Sequence, residues 1–226
     1  MTEDARAATT AIERMSAQGL QNDTAWWHLY DSSFPATERD PRPVVLATAE
    51  PGVGFVLRAS LDGQTIGLAV AHLLRAVAST FLVYLAVDRE RRSKGVGRML
   101  FEETVRTGAA ELNARGSTPT GTVWEIDDPA ISVDAAELEV RLRRRTFFES
   151  LGGRALALRY VQPPIDGRTE VPMQLMFRPN AETAQVEPPE TAALVRAIYF
   201  EKYQQMNGIP EDVLERLLGT GTDRPQ

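Results

Sequence analysis

A short glycine-containing segment between a strand-like run and a helix-like run constrains this sequence more than any other feature. Residues 92–97 read R-S-K-G-V-G, follow the apolar run at residues 81–87 and precede helical periodicity that begins at Arg98. Glycine lacks the Cβ that would keep a bulky anion from the backbone, and the first amides of a helix have no intrahelical partner. The junction is therefore predicted to bind phosphate groups through its backbone.

Two common phosphate loops do not fit this segment. A dinucleotide fingerprint needs a third small residue at position 100, which is Leu100. A nucleoside-triphosphate loop needs G-K-[ST] after four intervening residues, a pattern that the chain lacks. A plain turn with solvated basic residues remains the alternative explanation at this point.

The first part of the chain predicts helices followed by a meander of strands. Residues 1–21 stay open between a frayed helix and an edge strand, and a helix starts at residue 23 or 24. A second short helix is expected at residues 35–40, ended by the prolines at 41 and 43. Three antiparallel strands with an Asp-Gly hairpin turn follow, at residues 54–60, 65–73 and 81–87.

After the glycine segment, helices and strands alternate. A helix ending at residues 115–116 leads through a parallel crossover to a strand at Gly121–Asp127. Asp134 and Glu137 resemble a capping box that opens the next helix. Two final strands are predicted at residues 154–161 and 171–178. The fold class is therefore α/β (α+β), with a mixed, mostly antiparallel sheet flanked by helices.

Composition limits the classes of function. The 226 residues carry 31 acidic and 25 basic side chains, no cysteine and two histidines. A net charge of −6 without a long basic block argues against nucleic acid, and the lack of Cys and scarcity of His argue against a metal site. The sequence contains neither a transmembrane pattern nor a signal-peptide pattern, so we expect no membrane association and a cytoplasmic location.

The segment V-D-R-E-R-R-S-K-G-V-G-R-M-L (residues 87–100) resembles the acyl-CoA signature [RQ]-x-x-G-x-[GA] of the GNAT superfamily of N-acetyltransferases. The predicted order of elements is also the GNAT order, from about residue 26 to residue 178. The resemblance implies that the loop amides hold the pyrophosphate of acetyl-CoA and that the preceding strand end pairs with the pantetheine arm. The residues it implicates are Leu85, Ala86, Val87, Arg92, Ser93, Lys94, Gly95, Val96, Gly97 and Arg98.

A second match shows a departure from the family. The segment F-F-E-S-L-G-G (residues 147–153) resembles [LF]-Y-x-x-x-G-F, but Phe148 replaces the tyrosine that often protonates the CoA sulfur, and Gly153 replaces the aromatic residue. Phe148 cannot donate a proton. Tyr160, Tyr84, water and the ammonium proton of the acceptor remain open as sources, and Tyr160 is the side chain that we name as a candidate catalytic residue.

The strand Gly121–Asp127 offers the base that an amine acceptor requires. Strand alternation puts Val123, Glu125 and Asp127 on one face. A free alkyl amine has a pKa of about 10, so a base near the thioester must take a proton at neutral pH. Glu125 is the first candidate and Asp127 the second. The alternative is that both acids only keep the sheet end soluble.

The first helices are expected to cover the acceptor, with Phe34 and Glu38 as substrate-binding residues. Residues 1–180 are predicted to form the GNAT-like domain. Residues 181–226 are predicted to form a linker and a helical extension that packs on the core or forms a homodimer interface.

The predicted function is transfer of an acetyl or acyl group from acetyl-CoA to a primary amine of a small molecule or peptide, by direct attack in a ternary complex. The excess of acids favours a cationic acceptor. A catalytically silent CoA-binding sensor or scaffold is the alternative, supported by Phe148. A hydrolase or decarboxylase on the same scaffold is a third class.

Overall fold

A computed structural model describes residues 9–180 and 189–221, with side chains described up to residue 219. Its strands form one eight-stranded sheet: β1 Thr10–Met15, β2 Gly54–Leu61, β3 Gln64–Leu74, β4 Ser79–Val87, β5 Gly121–Asp127, β6 Arg154–Ala155, β7 Tyr160–Gln162 and β8 Val171–Pro179. Its helices are α1 Ala17–Asn22, α2 Thr24–Ser33, α3 Arg42–Thr48, α4 Val96–Asn113, α5 Ala135–Glu149, α6 Thr191–Ala197, α7 Gln205–Asn207 and α8 Glu211–Gly221. A π-helical turn, Ile198–Gln204, joins α6 to α7. The predicted fold class, a mixed and mostly antiparallel sheet flanked by helices, is confirmed.

The sheet order is β1-β2-β3-β4-β5-β8-β6, and β7 also pairs with β8. Every pairing is antiparallel except that of β4 with β5. This parallel pair needs a crossover, which α4 provides between the two strands. The meander β2-β3-β4 and the crossover both agree with the sequence prediction.

The parallel pair is short, and this shortness shapes the molecule. Strands β4 and β5 pair only from Ser79–Gly121 to Leu82–Trp124. The register of β4 against β3 shifts at the next position, where Val70 pairs with Tyr84 and Ala71 with Leu82. A bulge bends a strand and increases its twist. Both strands continue beyond this point without pairing to each other, so a gap opens between residues 83–87 and residues 125–127.

The two faces of the sheet are covered differently. One face packs on α4 and α5 through Leu82, Trp124 and Ile126. On the other face, α2 and α3 cover the β2-β3-β4 half, and the C-terminal helices cover Phe81, Val123 and the β8 half. Val83 packs against both of these groups. The gap between β4 and β5, which we call the cleft, therefore lies where the N-terminal helices meet the C-terminal helices.

The C-terminal extension packs on the chain's own sheet. The buried apolar side chains of its helices lie in the same core cluster as strand residues of β4, β5 and β8, and they include Leu194, Ile198, Tyr199, Tyr203, Leu214 and Leu217. The helix predicted after Pro189 runs to Asn207, and Gly208 at φ 69° ends it as expected. The linker at residues 181–188 and the tail at 222–226 lie outside the described residues.

Three local predictions need correction. Residues 35–40 form turns, and the prolines at 41 and 43 begin α3 instead of ending a helix, because the first turn of a helix needs no backbone donor. The strand predicted at 154–161 is two short strands, β6 and β7, separated by an irregular segment. The segment left open at residues 1–21 contains both β1 and α1, while residues 1–8 lie outside the described residues.

Candidate active site

The glycine segment lies at the carboxyl end of β4 and opens α4. Ser93 has φ 63° and Gly95, the residue before the helix, has φ 82°. The first α-helical bond runs from the Met99 amide to the Gly95 carbonyl at 3.0 Å, so the amides of the first turn remain available. A Cβ added to Gly95 would meet no described atom within 4 Å. The turn therefore presents free donors to open space.

Basic side chains surround this turn without closing it. Arg92, Lys94 and Arg98 are exposed. The Arg92 Nε donates to the Val87 carbonyl at 3.4 Å, which holds its stem beside the strand end. A Cβ at Gly97 would lie 3.3 Å from the Phe147 ring, so a side chain there would crowd the contact between α4 and α5. The arrangement fits a bound diphosphate.

The end of β4 has a free edge. Leu85, Ala86 and Val87 pair with β3 on one side, to Ala69, Leu68 and Gly67. On the other side β5 has already diverged. A strand edge with unpaired amides and carbonyls accepts another extended chain, so this edge suits an amide-containing arm. The ten residues predicted to bind acetyl-CoA therefore lie on this strand end and on the turn that follows it, with the side chains of Ala86 and Val96 buried.

Glu125 is the first residue of β5 beyond the paired segment, and three side chains hold its carboxylate. Tyr160 donates a short hydrogen bond to Oε1. The Tyr203 hydroxyl lies 2.9 Å from each carboxylate oxygen, and Gln162 Nε2 donates to Oε2 at 2.9 Å. Gln162 Nε2 also donates to the Tyr203 hydroxyl at 3.2 Å. We call these four residues the Glu125 network.

Burial dominates the ionisation of this network. It raises the pKa of Glu125, and the hydrogen bonds from Tyr160, Tyr203 and Gln162, together with the charge of Lys202, oppose the rise. Burial, followed by the charge of Glu125, raises the pKa of Tyr160 and of Tyr203 far above the usual range of a phenol. Part of Glu125 remains exposed to solvent. A carboxylate with a raised pKa, next to an opening, suits proton transfer at neutral pH.

Asp127 at the end of β5 and Glu38 in the turn at residues 35–40 are close enough for their charges to interact. Asp127 forms an ion pair with Arg144 of α5. Burial raises the pKa of half-buried Glu38, and the charge of Asp127 adds to this rise, while Arg144 and Arg141 oppose it. Two candidate residues, one from each side of the cleft, are thus brought together.

Phe34 and Tyr84 pack against each other close to Glu38. Their ring centroids are 4.8 Å apart. The Tyr84 hydroxyl accepts from the Asp40 amide at 2.7 Å and donates to the Glu38 carbonyl at 2.9 Å. Because both partners are backbone groups of the turn at residues 35–40, Tyr84 fixes that turn. This use of its proton disfavours Tyr84 as the source for the CoA sulfur.

Several further residues have structural roles. Phe148 is buried against Trp124, at 4.9 Å between ring centroids, as its lack of a hydroxyl implies. A Cβ at Gly153 would lie 2.6 Å from the Trp124 ring, which explains why the family's aromatic residue is missing there. His72 is buried and bonded to Thr48 Oγ1 at 3.0 Å, and burial lowers its pKa, as expected for a core histidine. Arg143 and Arg145 form exposed ion pairs on α5.

Sequence reasoning missed Gln162, Lys202 and Tyr203 as members of the site. In the sequence, Tyr203 lies on an apolar helical face, which indicates burial but no role in a site. Its phenol and the adjacent lysine were signals, because a lysine beside the apolar face of a buried helix needs a buried partner. Lys202 is fully buried and pairs with Asp40 at 2.9 Å.

The fold contains a mixed sheet in which two parallel strands diverge. The candidate site combines a glycine-rich helix start at the end of one of these strands with a carboxylate on the other. Residues 24–120 match the family model of the acetyltransferase (GNAT) family. The GNAT resemblance of residues 87–100 is therefore confirmed by a family model that covers residues 24–120. A comparison with curated proteins gives no match.

Solved structures of this fold match a larger share of the chain than the family model does. A GNAT-family protein from Bacteroides thetaiotaomicron has a TM-score of 0.61 at 18% identity, covering 88% of this chain and 99% of its own. A phosphinothricin acetyltransferase from Sinorhizobium meliloti in complex with acetyl-CoA has a TM-score of 0.54 at 17% identity, over 81% and 95%. NAA60 from Arabidopsis thaliana, also in complex with acetyl-CoA, has a TM-score of 0.54 at 13% identity, over 76% and 98%. At these identities the likeness establishes the fold.

Membrane-spanning helices and metal-binding clusters are both absent from the described residues. None of the helices there is long and apolar enough to cross a membrane. The same residues contain no group of three or more His, Cys, Asp or Glu side chains arranged to hold a metal ion.

Proposed function

We propose that this protein is an N-acyltransferase that moves an acetyl group from acetyl-CoA to a primary amine. The supporting observation is the geometry of the gap: β4 ends in the glycine turn, and Glu125 is the first β5 residue after the strands part. A thioester aligned along the β4 edge would enter this gap from one side and an amine from the other. Two proteins of this fold have been solved in complex with acetyl-CoA, which supports acetyl-CoA as the co-substrate.

Residues 85–87 would hold the pantetheine arm, and the turn at residues 92–98 would hold the diphosphate. Backbone amides and the positive end of α4 favour the anion, and the exposed basic side chains add to this attraction. Binding both reactants in one complex lowers the entropic barrier to attack. Backbone amides at the free edge of this strand end would donate to the thioester carbonyl oxygen as it gains charge.

Glu125 would act as the general base. It takes a proton from the acceptor ammonium, directly or through water, and leaves a neutral amine. The amine nitrogen forms a bond to the carbonyl carbon and loses its second proton to water, the carbon–sulfur bond breaks, and the sulfur leaves with the electron pair. Tyr160, which donates to Glu125, would pass a proton to that sulfur and recover one from Glu125. The products are an N-acyl amine, CoA thiol and one proton released to water.

The acceptor would be a cationic amine of a small molecule or a peptide end. Glu38 forms no ion pair with another described residue, although it is half-buried and faces Asp127. A substrate cation placed between these two carboxylates would relieve their repulsion. Phe34 supplies an apolar surface next to them.

The test is to incubate the full chain with acetyl-CoA and a panel of amines, following free thiol and acylated product together. Equal release of thiol and acylated amine, beyond the blank without protein, supports the proposal. Calorimetry showing tight CoA binding without turnover would favour the sensor or scaffold. Thiol release without an acylated amine would instead favour thioester hydrolysis.

A further inference from the structure

The C-terminal extension enters the active site, although it follows the part of the chain that carries the family's signature. After α6, the π-helical turn Ile198–Gln204 directs two consecutive side chains inward, and both Lys202 and Tyr203 are fully buried. Neighbouring residues of a helix normally point about 100° apart, because there are about 3.6 residues per turn. Single π-helical turns are rare and often occur at functional sites.

Tyr203 touches the predicted base at both oxygens. Its hydroxyl lies 2.9 Å from Oε1 and 2.9 Å from Oε2 of Glu125, so its proton points at the carboxylate. Gln162 donates to the same hydroxyl at 3.2 Å, which directs the phenol proton toward Glu125. The ring itself is held by the core, including Phe81 at 6.4 Å between centroids.

Lys202 fixes the turn from which Tyr203 projects. Its Nζ lies 3.0 and 2.9 Å from the Asp40 carboxylate oxygens and 2.5 Å from Asn207 Oδ1. Asn207 Nδ2 in turn donates to Asp40 at 2.6 Å. Asp40 is itself held through its backbone by Tyr84 and Tyr30. The backbone before Tyr203 is therefore tied to the acceptor side of the cleft.

We propose that Tyr203 is a positioning residue for the acyl-transfer reaction: the C-terminal extension supplies the hydroxyl that orients the Glu125 carboxylate and favours its ionised form. The inference rests on the proposed function only for the role of Glu125 as base. The contact itself does not depend on turnover. The extension is then a required part of the catalytic unit.

The effect on ionisation has a defined sign. A hydrogen bond to the charged form of a carboxylate lowers its pKa, so loss of the Tyr203 hydroxyl raises the pKa of Glu125. Besides Tyr203, the titratable or charged groups that act on Glu125 are Tyr160 of β7 and Lys202, while Tyr199 of the same turn only responds to the charge of Glu125. All three are unchanged by a Tyr203→Phe substitution. A base must be ionised to work, so the acid limb of activity should move to higher pH.

The experiment compares Y203F with Y199F in the full chain. Tyr199 is a matched control, because it lies on the same turn, is buried and donates its proton to the Val161 carbonyl at 2.7 Å instead of to Glu125. We expect Y203F to lower kcat about tenfold and to move the acid limb of kcat/KM up by about one pH unit. Y199F should keep the wild-type profile. A folded Y203F with an unchanged pH profile would overturn the proposal.

Two further measurements separate this inference from the proposed function. Carbon-13 NMR of labelled glutamate, with Glu125 assigned through E125Q, should show the same upward pKa shift in Y203F whether or not an acceptor is known; no shift would refute the contact. If Y203F does not fold, 3-fluorotyrosine at position 203 keeps the ring and makes a stronger donor. The Glu125 pKa should then fall, and an unchanged value would count against the proposal. Failure of every amine to react would overturn the function but not the contact.

Discussion

The two halves of the candidate site are built in opposite ways. The CoA half consists of backbone amides and glycines within one continuous stretch, the end of β4 and residues 92–98. The proton-transfer half consists of side chains from β5, β7 and the π-helical turn, and Tyr203 is 78 residues from Glu125 along the chain. The first half needs only a local conformation. The second half needs the whole sheet and the C-terminal extension to pack first.

This difference explains what each half can tolerate. A backbone site is insensitive to many side-chain changes but sensitive to anything that alters φ or fills the space above the amides. A buried side-chain network is sensitive to the loss of a single atom, because an unpaired polar group in the interior is costly. The following substitutions separate the two halves.

The largest effect is expected at Glu125. Glu125→Gln keeps the shape of the side chain and removes the base, so kcat/KM should fall about 10³-fold, within the range known for loss of a general base. The dissociation constant of CoA, measured by calorimetry, should stay within about twofold of wild type, because the diphosphate contacts are at the other half. Glu102→Gln, on α4 and paired with Arg178, is the control and should retain activity. Equal loss in both variants would contradict the assignment.

The proposed role of Glu125 as the base also predicts a pH dependence of defined sign for the wild type. Burial raises the pKa of Glu125 above the ordinary value for glutamate, and the carboxylate must be ionised to accept a proton. Activity should therefore fall as the pH drops through this raised pKa, earlier than for an exposed glutamate. The check is the acid limb of kcat/KM. A limb at the position of an ordinary glutamate would exclude Glu125 as the group that titrates.

The next largest effect is expected at Lys202, and it concerns the free energy of unfolding. Removing one member of a buried ion pair strands the other, at a cost of about 3 to 5 kcal/mol. Lys202→Met should therefore lower the free energy of unfolding by about that amount, since Asp40 and Lys202 are 1% and 0% exposed. Arg143→Met removes the exposed pair with Glu139 and should cost no more than about 0.5 kcal/mol. Denaturant titration with both variants decides the point.

The sequence predicts the first half of this comparison better than the second for a physical reason. The strand at residues 81–87, the glycine turn and the start of α4 are adjacent, so periodicity and glycine positions are enough to place them. The sequence also predicts the face of the sheet on which Glu125 lies, because side chains alternate along a strand. Which side chains meet it depends on contacts across the sheet. Alternation within one strand carries no information about Tyr160, Gln162 or Tyr203.

The corrected predictions fail for similar reasons. Pro41 and Pro43 look like helix terminators in isolation, but they occupy the start of α3, where proline is tolerated. Residues 154–161 have the composition of one strand, yet they form β6 and β7 because the intervening segment leaves the edge of β8. Each choice depends on the neighbouring element and not on the segment itself.

The glycine turn can be tested with a matched pair of glycines. Gly95→Val places a β-branched side chain at φ 82° in the open space above the first amides of α4, so CoA binding should weaken about 100-fold, or about 2.7 kcal/mol. Gly63→Val introduces the same conformational strain at φ 79° in the hairpin turn between β2 and β3, again with no described atom near the new Cβ. Calorimetric titration with CoA should find Gly63→Val close to wild type. Similar losses in both would mean that strain, and not the blocked amides, weakens binding.

The smallest effect is expected at Glu38, where the proposed cationic acceptor would bind. Glu38→Gln removes one of two facing carboxylates, so KM for a cationic amine should rise about tenfold while kcat changes little, because the charge is met in both ground and transition states. Glu50→Gln, an exposed acid after α3, should leave KM unchanged. A neutral acceptor of similar size should show no difference between wild type and Glu38→Gln. Should KM for the cationic amine also stay constant, the carboxylate pair is not the acceptor's binding site, and specificity must come from Phe34 and the apolar wall around it.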